Sequence, residues 1–354
     1  MSKSPTVSSK PFGQLPDGAK VDLYTLANRH GTEARIMTYG GTITSLRTRD
    51  RAGELADIVL GFDELEPYLK GTPYFGALIG RYGNRIAKGL FTLDGKTYTL
   101  DTNGRQNHLH GGVEGFDKRV WSAQAFTDQT GAGVKLNLLS PDGDQGYPGN
   151  LRVTAVYTLT DDDRLIIDLR AVTDRPTLVN LTHHSYFNLA AEGDILNHRL
   201  TLNADRFTPV DSTMIPTGEL RFVNDTPFDF RKPVAIGARI DDTRDEQIAL
   251  GHGYDHNFVL NKKAGDALQQ AARVVEPESG RVLEIWTEEP GIQFYTANFL
   301  NPTLCRGKTY SRRCAFCLEP QHYPDSPNQP DFPSTVLRPG EQYATRTVYK
   351  FGVE

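Results

Sequence analysis

Four polar runs carry the residue types that could do chemistry in this chain. The first is Thr182-His183-His184-Ser185-Tyr186-Phe187-Asn188, set in a stretch that otherwise reads as a strand. Successive side chains on a strand face opposite ways. His184, Tyr186 and Asn188 therefore form one polar row, and His183, Ser185 and Phe187 form the other. The same pattern recurs at Asn107-His108-Leu109-His110-Gly111-Gly112 and at Gly253-Tyr254-Asp255-His256-Asn257-Phe258. The fourth run, Phe316-Cys317-Leu318-Glu319-Pro320-Gln321, is an apolar strand carrying a carboxylate. A lone histidine is commonly just a hydrogen-bonded, half-buried residue. Four such runs, far apart in sequence, point instead to a site assembled by folding.

General acid/base chemistry suits this inventory. His110, His184, Asp255 and Glu319 are joined by Asn84-Arg85, which lies in the glycine-broken run from Gly80 to Ala87. A glutamate opposite an imidazolium supplies a base and an acid, the requirement for concerted proton transfer near neutral pH. Aromatic residues neighbour these runs, and Gln293 and Tyr295 share a face of Gly291-Ile292-Gln293-Phe294-Tyr295, with Phe294 read as core. Aromatic faces beside amides and carboxylates suit sugars, whose C–H faces stack while their hydroxyls need polar partners.

Other chemistries fit less well. His108 and His110 would share a strand face, and His252 and His256 are four apart, but the latter pair lies in a glycine turn. Zinc needs a third or fourth ligand of fixed geometry. Cys314-Ala315-Phe316-Cys317 has redox-like spacing, yet no second pair accompanies it and a strand would turn the two thiols apart. No phosphate-binding glycine loop precedes a helix, and no serine nucleophile elbow is present. Metal, nucleotide and other cofactors are therefore not expected.

The elements that must position these residues are strands. Asp94-Gly95 between Leu90–Leu93 and Lys96–Leu100 is a strong hairpin signal, because both turn positions tolerate positive φ. Ala34–Tyr39, Thr42–Leu46, Val134–Leu139, Leu151–Thr158, Leu165–Val172, Arg273–Val275 and Val282–Trp286 read as further strands. Only Ala264–Ala272 has a helical composition, and it reads equally as a loop before a strand. The expected fold is all-β, one large antiparallel β-sandwich over 11–354, with residues 1–10 as a disordered tail.

Composition sets the outer bounds. The 354 residues are 38% hydrophobic with a net charge of -5 and no charge blocks, which argues against nucleic acid or an anionic membrane as partner. No apolar run approaches the roughly 18 residues of a membrane helix, and no secretory signal opens the chain. Three cysteines, an odd number, fit free thiols in the cytoplasm.

Taken in order, the runs resemble one family, the aldose 1-epimerases or galactose mutarotases. The matching segments are Gly80–Gly89, Asn107–Lys118, Asn180–Leu189, Phe207–Gly218, Thr226–Pro233, Gly253–Leu260, Pro290–Leu300 and Cys317–Pro333. The resemblance implies a large twisted β-supersandwich that interconverts the α and β anomers of free aldoses such as galactose and glucose, without cofactor. It implies Glu319 as general base on the C1 hydroxyl and His184 as general acid on the ring oxygen. His110 would polarise the sugar, and Asn84, Arg85, Ser185, Tyr186, Asp255 and Gln293 would complete the sugar site. His183 stands where relatives commonly carry Asn, and alternation turns it from the pocket. His108 is expected outside the first layer of contacts, and the turn Thr287-Glu288-Glu289-Pro290 is unusually acidic. A sugar-phosphate epimerase, an enzyme for another sugar, or a non-catalytic sugar-binding protein would share this sandwich. Monomer and homodimer both remain open.

Overall fold

The computed structural model describes residues 4–262 and 267–354. Among them are only two short α-helices, Glu66–Leu69 and Glu246–Gly251. The rest is sheet and turn, in the expected antiparallel supersandwich. A nine-stranded sheet runs in the order Ser122–Asp128, Gly131–Ser140, Leu151–Leu159, Arg164–Thr173, Tyr343–Val353, Arg281–Thr287, Gln269–Val275, Arg199–Leu202, Val234–Ala235. Every neighbouring pair is antiparallel. A five-stranded meander spans Thr6–Gln14 to Leu55–Asp57. The third large sheet has six strands in the order Tyr186–Phe187, Phe316–Gln321, Gly291–Tyr295, Asp255–Val259, Arg206–Phe207, Arg221–Phe222.

Alternation on the six-stranded sheet sorts its residues. Phe258, Ile292, Phe294, Phe316 and Leu318 join the main core shared with the nine-stranded sheet. Register places Asn257 opposite Gln293, Gln293 opposite Glu319, and Tyr295 opposite Cys317. Directly opposed residues share a face. Asn257, Gln293, Tyr295, Cys317 and Glu319 therefore all turn away from that core, and one strand set builds both the core and the wall of the site.

The Asp94-Gly95 hairpin forms as expected, with φ of 49° and 77° at its two turn residues. One expectation fails. Residues Thr6–Lys10 are not a loose tail. They belong to the Thr6–Gln14 strand, paired with Lys20–Ala27, and Val7 packs on the main core. Its side chains are mostly solvent-facing, so the backbone ladder, which composition does not report, holds it. Residues 264–266 of the Ala264–Ala272 stretch lie outside the described residues, and beyond them the strand alternative holds: Gln269–Val275 is a strand between Arg199–Leu202 and Arg281–Thr287. Pairing on both edges overrides the helix preference of its Ala and Gln residues.

Candidate active site

Glu319 projects from the sheet face and meets His184, with Oε1 3.6 Å from Nε2. The stretch carrying His184 is not one strand. Thr182–His183 pairs with Leu78–Ile79, and Tyr186–Phe187 pairs with Phe316–Cys317. Between these pairs His184 is pinned through its backbone, its N–H donating to Ala77 O and its carbonyl accepting from Gly76 N. Its ring stacks on Tyr186, with centroids 5.1 Å apart at 17°, and on Tyr74, 5.8 Å apart at 23°.

His110 arrives from a loop. Its φ of 50° ends the His108–Leu109 strand and swings its ring from the His108 side. The following Gly111 sits so close to Gly80 that a Cβ there would lie 1.8 Å from the Gly80 carbonyl oxygen. This contact docks the His110 loop against the Asn84–Arg85 loop. His110 N–H donates to Asn84 O at 3.0 Å, and Asn84 N–H donates to His110 Nδ1 at 3.1 Å. Asn84 itself has φ of 62°. Two side-chain-bearing residues held at positive φ in one site mark a backbone constrained by its surroundings.

One ligand atom from each of His110, His184 and Glu319 lies within 4.8 Å of the others. That spacing resembles a metal triad, but the hydrogen bonds argue otherwise. His110 Nδ1 accepts an N–H, so the neutral ring carries its proton on Nε2 and offers no second lone pair. The ring is a donor, suited to a sugar oxygen.

The polar floor continues along the sheet. Gln293 Nε2 donates to Asp255 Oδ1 at 2.7 Å, and Asp255 Oδ2 lies 3.9 Å from Arg85. Arg85 also reaches Asn84 Oδ1 at 3.4 Å. Burial dominates the electrostatics. It pushes Glu319 well above the usual carboxylate range, and repulsion by Asp255 adds to this while Arg85 opposes it. Asp255 is raised for the same first reason, against Arg85 and Gln293. Burial lowers His184 to about 3 and carries His110 well below 6.5. Burial thus shifts both groups toward their neutral forms, against the imidazolium and carboxylate expected from sequence. Burial penalises both charges, and a 3.6 Å separation restores little.

Folding brings together Asn84, Arg85, His110, His184, Tyr186, Asp255, Gln293 and Glu319. Ser185 is buried, and its Oγ has no protein partner among the described residues. Asn188 leaves the expected polar row, because its amide donates to Cys314 O, Glu192 O and Gly193 O and holds a turn. His183 turns into the interior beside Tyr157 and Tyr349. His108 lies behind the site, bonded to Asp101 O and Tyr147 Oη. His256 bonds Gln247 and packs on Phe228, away from His252, whose ring meets Phe299. Tyr74 was not foreseen. It comes from a loop with φ of 64° and makes an edge contact with His110 at 4.6 Å, which no local periodicity signals.

The profile of the family described as aldose 1-epimerase matches residues 22–350. The chain is 48% identical to galactose mutarotase of Bos taurus, over 98% of this chain and 99% of that protein. It is 42% identical to aldose 1-epimerase of Escherichia coli strain K12, over 96% and 97%. Among solved structures, galactose 1-epimerase from Lactobacillus acidophilus superposes with a TM-score of 0.87 at 29% identity, covering 99% of both chains.

Proposed function

The chain belongs to the aldose 1-epimerase family, and from that premise we propose how its residues carry the reaction. The protein is an isomerase that interconverts the α and β anomers of aldoses. Glu319 takes the proton of the C1 hydroxyl as general base. His184 gives a proton to the ring oxygen as general acid, and the pyranose opens. Rotation about C1–C2 exposes the other face of the aldehyde, and the two groups exchange roles as the ring closes. O1 and O5 are bonded to the same carbon, so acid and base must stand close together. The 3.6 Å approach of His184 to Glu319 in a buried site is the observation that carries this assignment.

The reaction needs one proton on the pair, and burial favours holding it on Glu319. Moving it from Glu319 to His184 produces base and acid together. Sugar hydroxyls drive that shift by donating to Glu319 Oε2, which is buried without a protein partner among the described residues. His110 donates Nε2–H to a sugar oxygen. Asn84, Arg85, Asp255 and Gln293 hold hydroxyls, while Tyr74 and Tyr186 keep the His184 ring in its plane. Ring opening is proton transfer throughout, so these side chains suffice.

The substrate is a free aldose such as galactose or glucose. A sugar phosphate would bring a dianion to a site whose Arg85 already faces Asp255. Three buried free cysteines support a reducing, cytoplasmic setting, and no helix among the described residues is long and apolar enough to cross a membrane. Polarimetry of fresh α-galactose, α-glucose and α-xylose solutions tests the reading. Optical rotation should relax faster with the protein than without it, before and after dialysis against EDTA. Activity lost to EDTA and restored by zinc would replace proton transfer with metal catalysis.

A further inference from the structure

Six buried polar atoms on the site face of the sheet have no protein partner among the described residues: Asn257 Nδ2 and Oδ1, Gln293 Oε1, Glu319 Oε2, and Gln321 Nε2 and Oε1. Asn257 and Gln321 are 1% and 0% exposed, and neither has a part in the machinery above. Buried carboxamides in folded proteins are hydrogen-bonded, to protein, water or ligand. Here both ends of two of them are open at once.

Register shows where they stand. Gln321 is opposite Gly291, two residues beyond Glu319 on the same strand, and Asn257 is opposite Gln293. Gly291 thus lies between the two carboxamides on one face. A Cβ at Gly291 would fall 2.5 Å from Asn257 Oδ1 and 2.9 Å from the Tyr323 ring. Without a side chain, Gly291 lets Asn257 Oδ1 and the Tyr323 ring close in over the sheet beside Gln321.

We infer that Asn257 and Gln321 bind a hydroxyl of the aldose, the one on C2. The inference rests on the roles given to Glu319 and His184. With O1 at Glu319, the ring oxygen lies toward His184, on the edge of the sheet that carries Tyr186. C2 departs from C1 in the other direction, over the strands of Gly291 and Asn257. A carboxamide offers donors and an acceptor without charge, which matches a hydroxyl and neither an anion nor a cation. The site therefore selects aldoses with a free 2-hydroxyl over 2-deoxy sugars.

The experiment compares kcat/KM for galactose and 2-deoxygalactose, each corrected for spontaneous mutarotation, in the parent and in Asn257→Leu and Gln321→Leu. A site built around a hydroxyl should favour galactose by at least about tenfold, because the analogue strands buried amides. The leucine variants should bring that ratio below about threefold, since an apolar side chain has no hydrogen bond to lose. A merely structural role would lower both substrates alike and leave the ratio unchanged, and that result overturns the inference. So does a parent ratio below about threefold, which needs no variant at all. Should a leucine variant not fold, Gly291→Ala sets a methyl against Asn257 Oδ1, displaces that amide and reads the same ratio. A parent that does not mutarotate galactose would refute the catalytic reading instead. Calorimetric binding of the two sugars then still measures the preference of the two amides.

Discussion

Two histidine–glutamate pairs among the described residues, one with a half-buried histidine and one fully buried, are built to opposite ends. His322 Nδ1 meets Glu289 Oε2 at 2.6 Å, and Glu289 Oε1 accepts from Tyr343 Oη at 3.2 Å. Burial works against both charges there, yet mutual attraction and hydrogen bonding win, so Glu289 is lowered and His322 raised. His184 and Glu319 are 3.6 Å apart, and His184 Nδ1 and Glu319 Oε2 have no protein partner among the described residues. Burial wins there, and both groups are driven neutral. Both carboxylate oxygens of the first pair are engaged by protein, and that carboxylate has nothing left to offer a ligand. The second is left incomplete, and a sugar completes it. A buried ion pair marks structure when its lone pairs are filled and chemistry when they are not.

The contrast breaks first if the two pairs respond alike to substitution. Glu319→Gln and His184→Asn should each cost about 10²–10⁴ in kcat, or roughly 3–5 kcal/mol of barrier. The double variant should lose far less than the product, because the two groups act as a unit. Stability should hold or rise in Glu319→Gln, because it removes an uncompensated buried acid. Stopped-flow or polarimetric kcat with parallel thermal melts reads both effects. A Glu319→Gln enzyme within about threefold of the parent would move the base elsewhere.

Glu289→Gln should do the reverse. It should cost about 3–5 kcal/mol of stability by leaving the other half of a buried pair alone, with kcat largely kept. The linkage has a definite sign. Glu289 is lowered from 4.5, so its contribution is present above that value and lost as pH falls below it. His322 is raised from 6.5, so its contribution is present below that value and lost as pH rises through the raised one. Denaturant midpoints should show the parent's advantage over Glu289→Gln at its fullest between these two values. An advantage that keeps growing above neutral pH would contradict the pairing.

Asp255→Ala should raise KM about tenfold, the loss of a charge-assisted hydroxyl contact, with a smaller fall in kcat. Unchanged kinetics would make Asp255 structural. Its charge also sharpens the comparison through pH. The pair works with one proton, so activity falls in acid when His184 gains a second and in base when Glu319 loses the only one. Asp255 raises Glu319 and Arg85 lowers it. Asp255→Asn should therefore move the alkaline limb of kcat/KM to lower pH, and Arg85→Met should move it higher. Shifts in the same direction would detach that limb from Glu319.

The smallest effect is expected at Cys317, which shares the face of Glu319 but packs with Tyr186, its thiol pushed well up by burial. Cys317→Ala should stay within about threefold of the parent's kcat, because a thiol so hard to ionise is no nucleophile. A folded but inactive variant would give it a part in the chemistry.

Much of this was legible from residues alone. Alternation on a strand is a local property of the backbone, so the sides of Glu319, Gln293 and Phe294 could be read directly. The positive-φ tolerance of Asp94-Gly95 is equally local. His184 lies beside Glu319 although its segment is not a continuous strand, whereas Asn188, four residues on, was misplaced for that reason. Tyr74, Asn257 and Gln321 escaped notice because a tyrosine in a loop and amides in a strand carry no distinctive spacing.

The sequence by itself determined which side chains exist to donate and accept protons, and which faces of the strands they occupy. Tertiary structure alone decided their protonation and their partners. Desolvation is imposed by chain segments hundreds of residues away, and it draws an expected ion pair toward its neutral form. Hydrogen bonds from Asn84, whose backbone reaches His110 only through the fold, decided which nitrogen of that ring faces the site. Backbone alternation needs only neighbours in sequence, while burial and lone-pair saturation need the whole molecule in place.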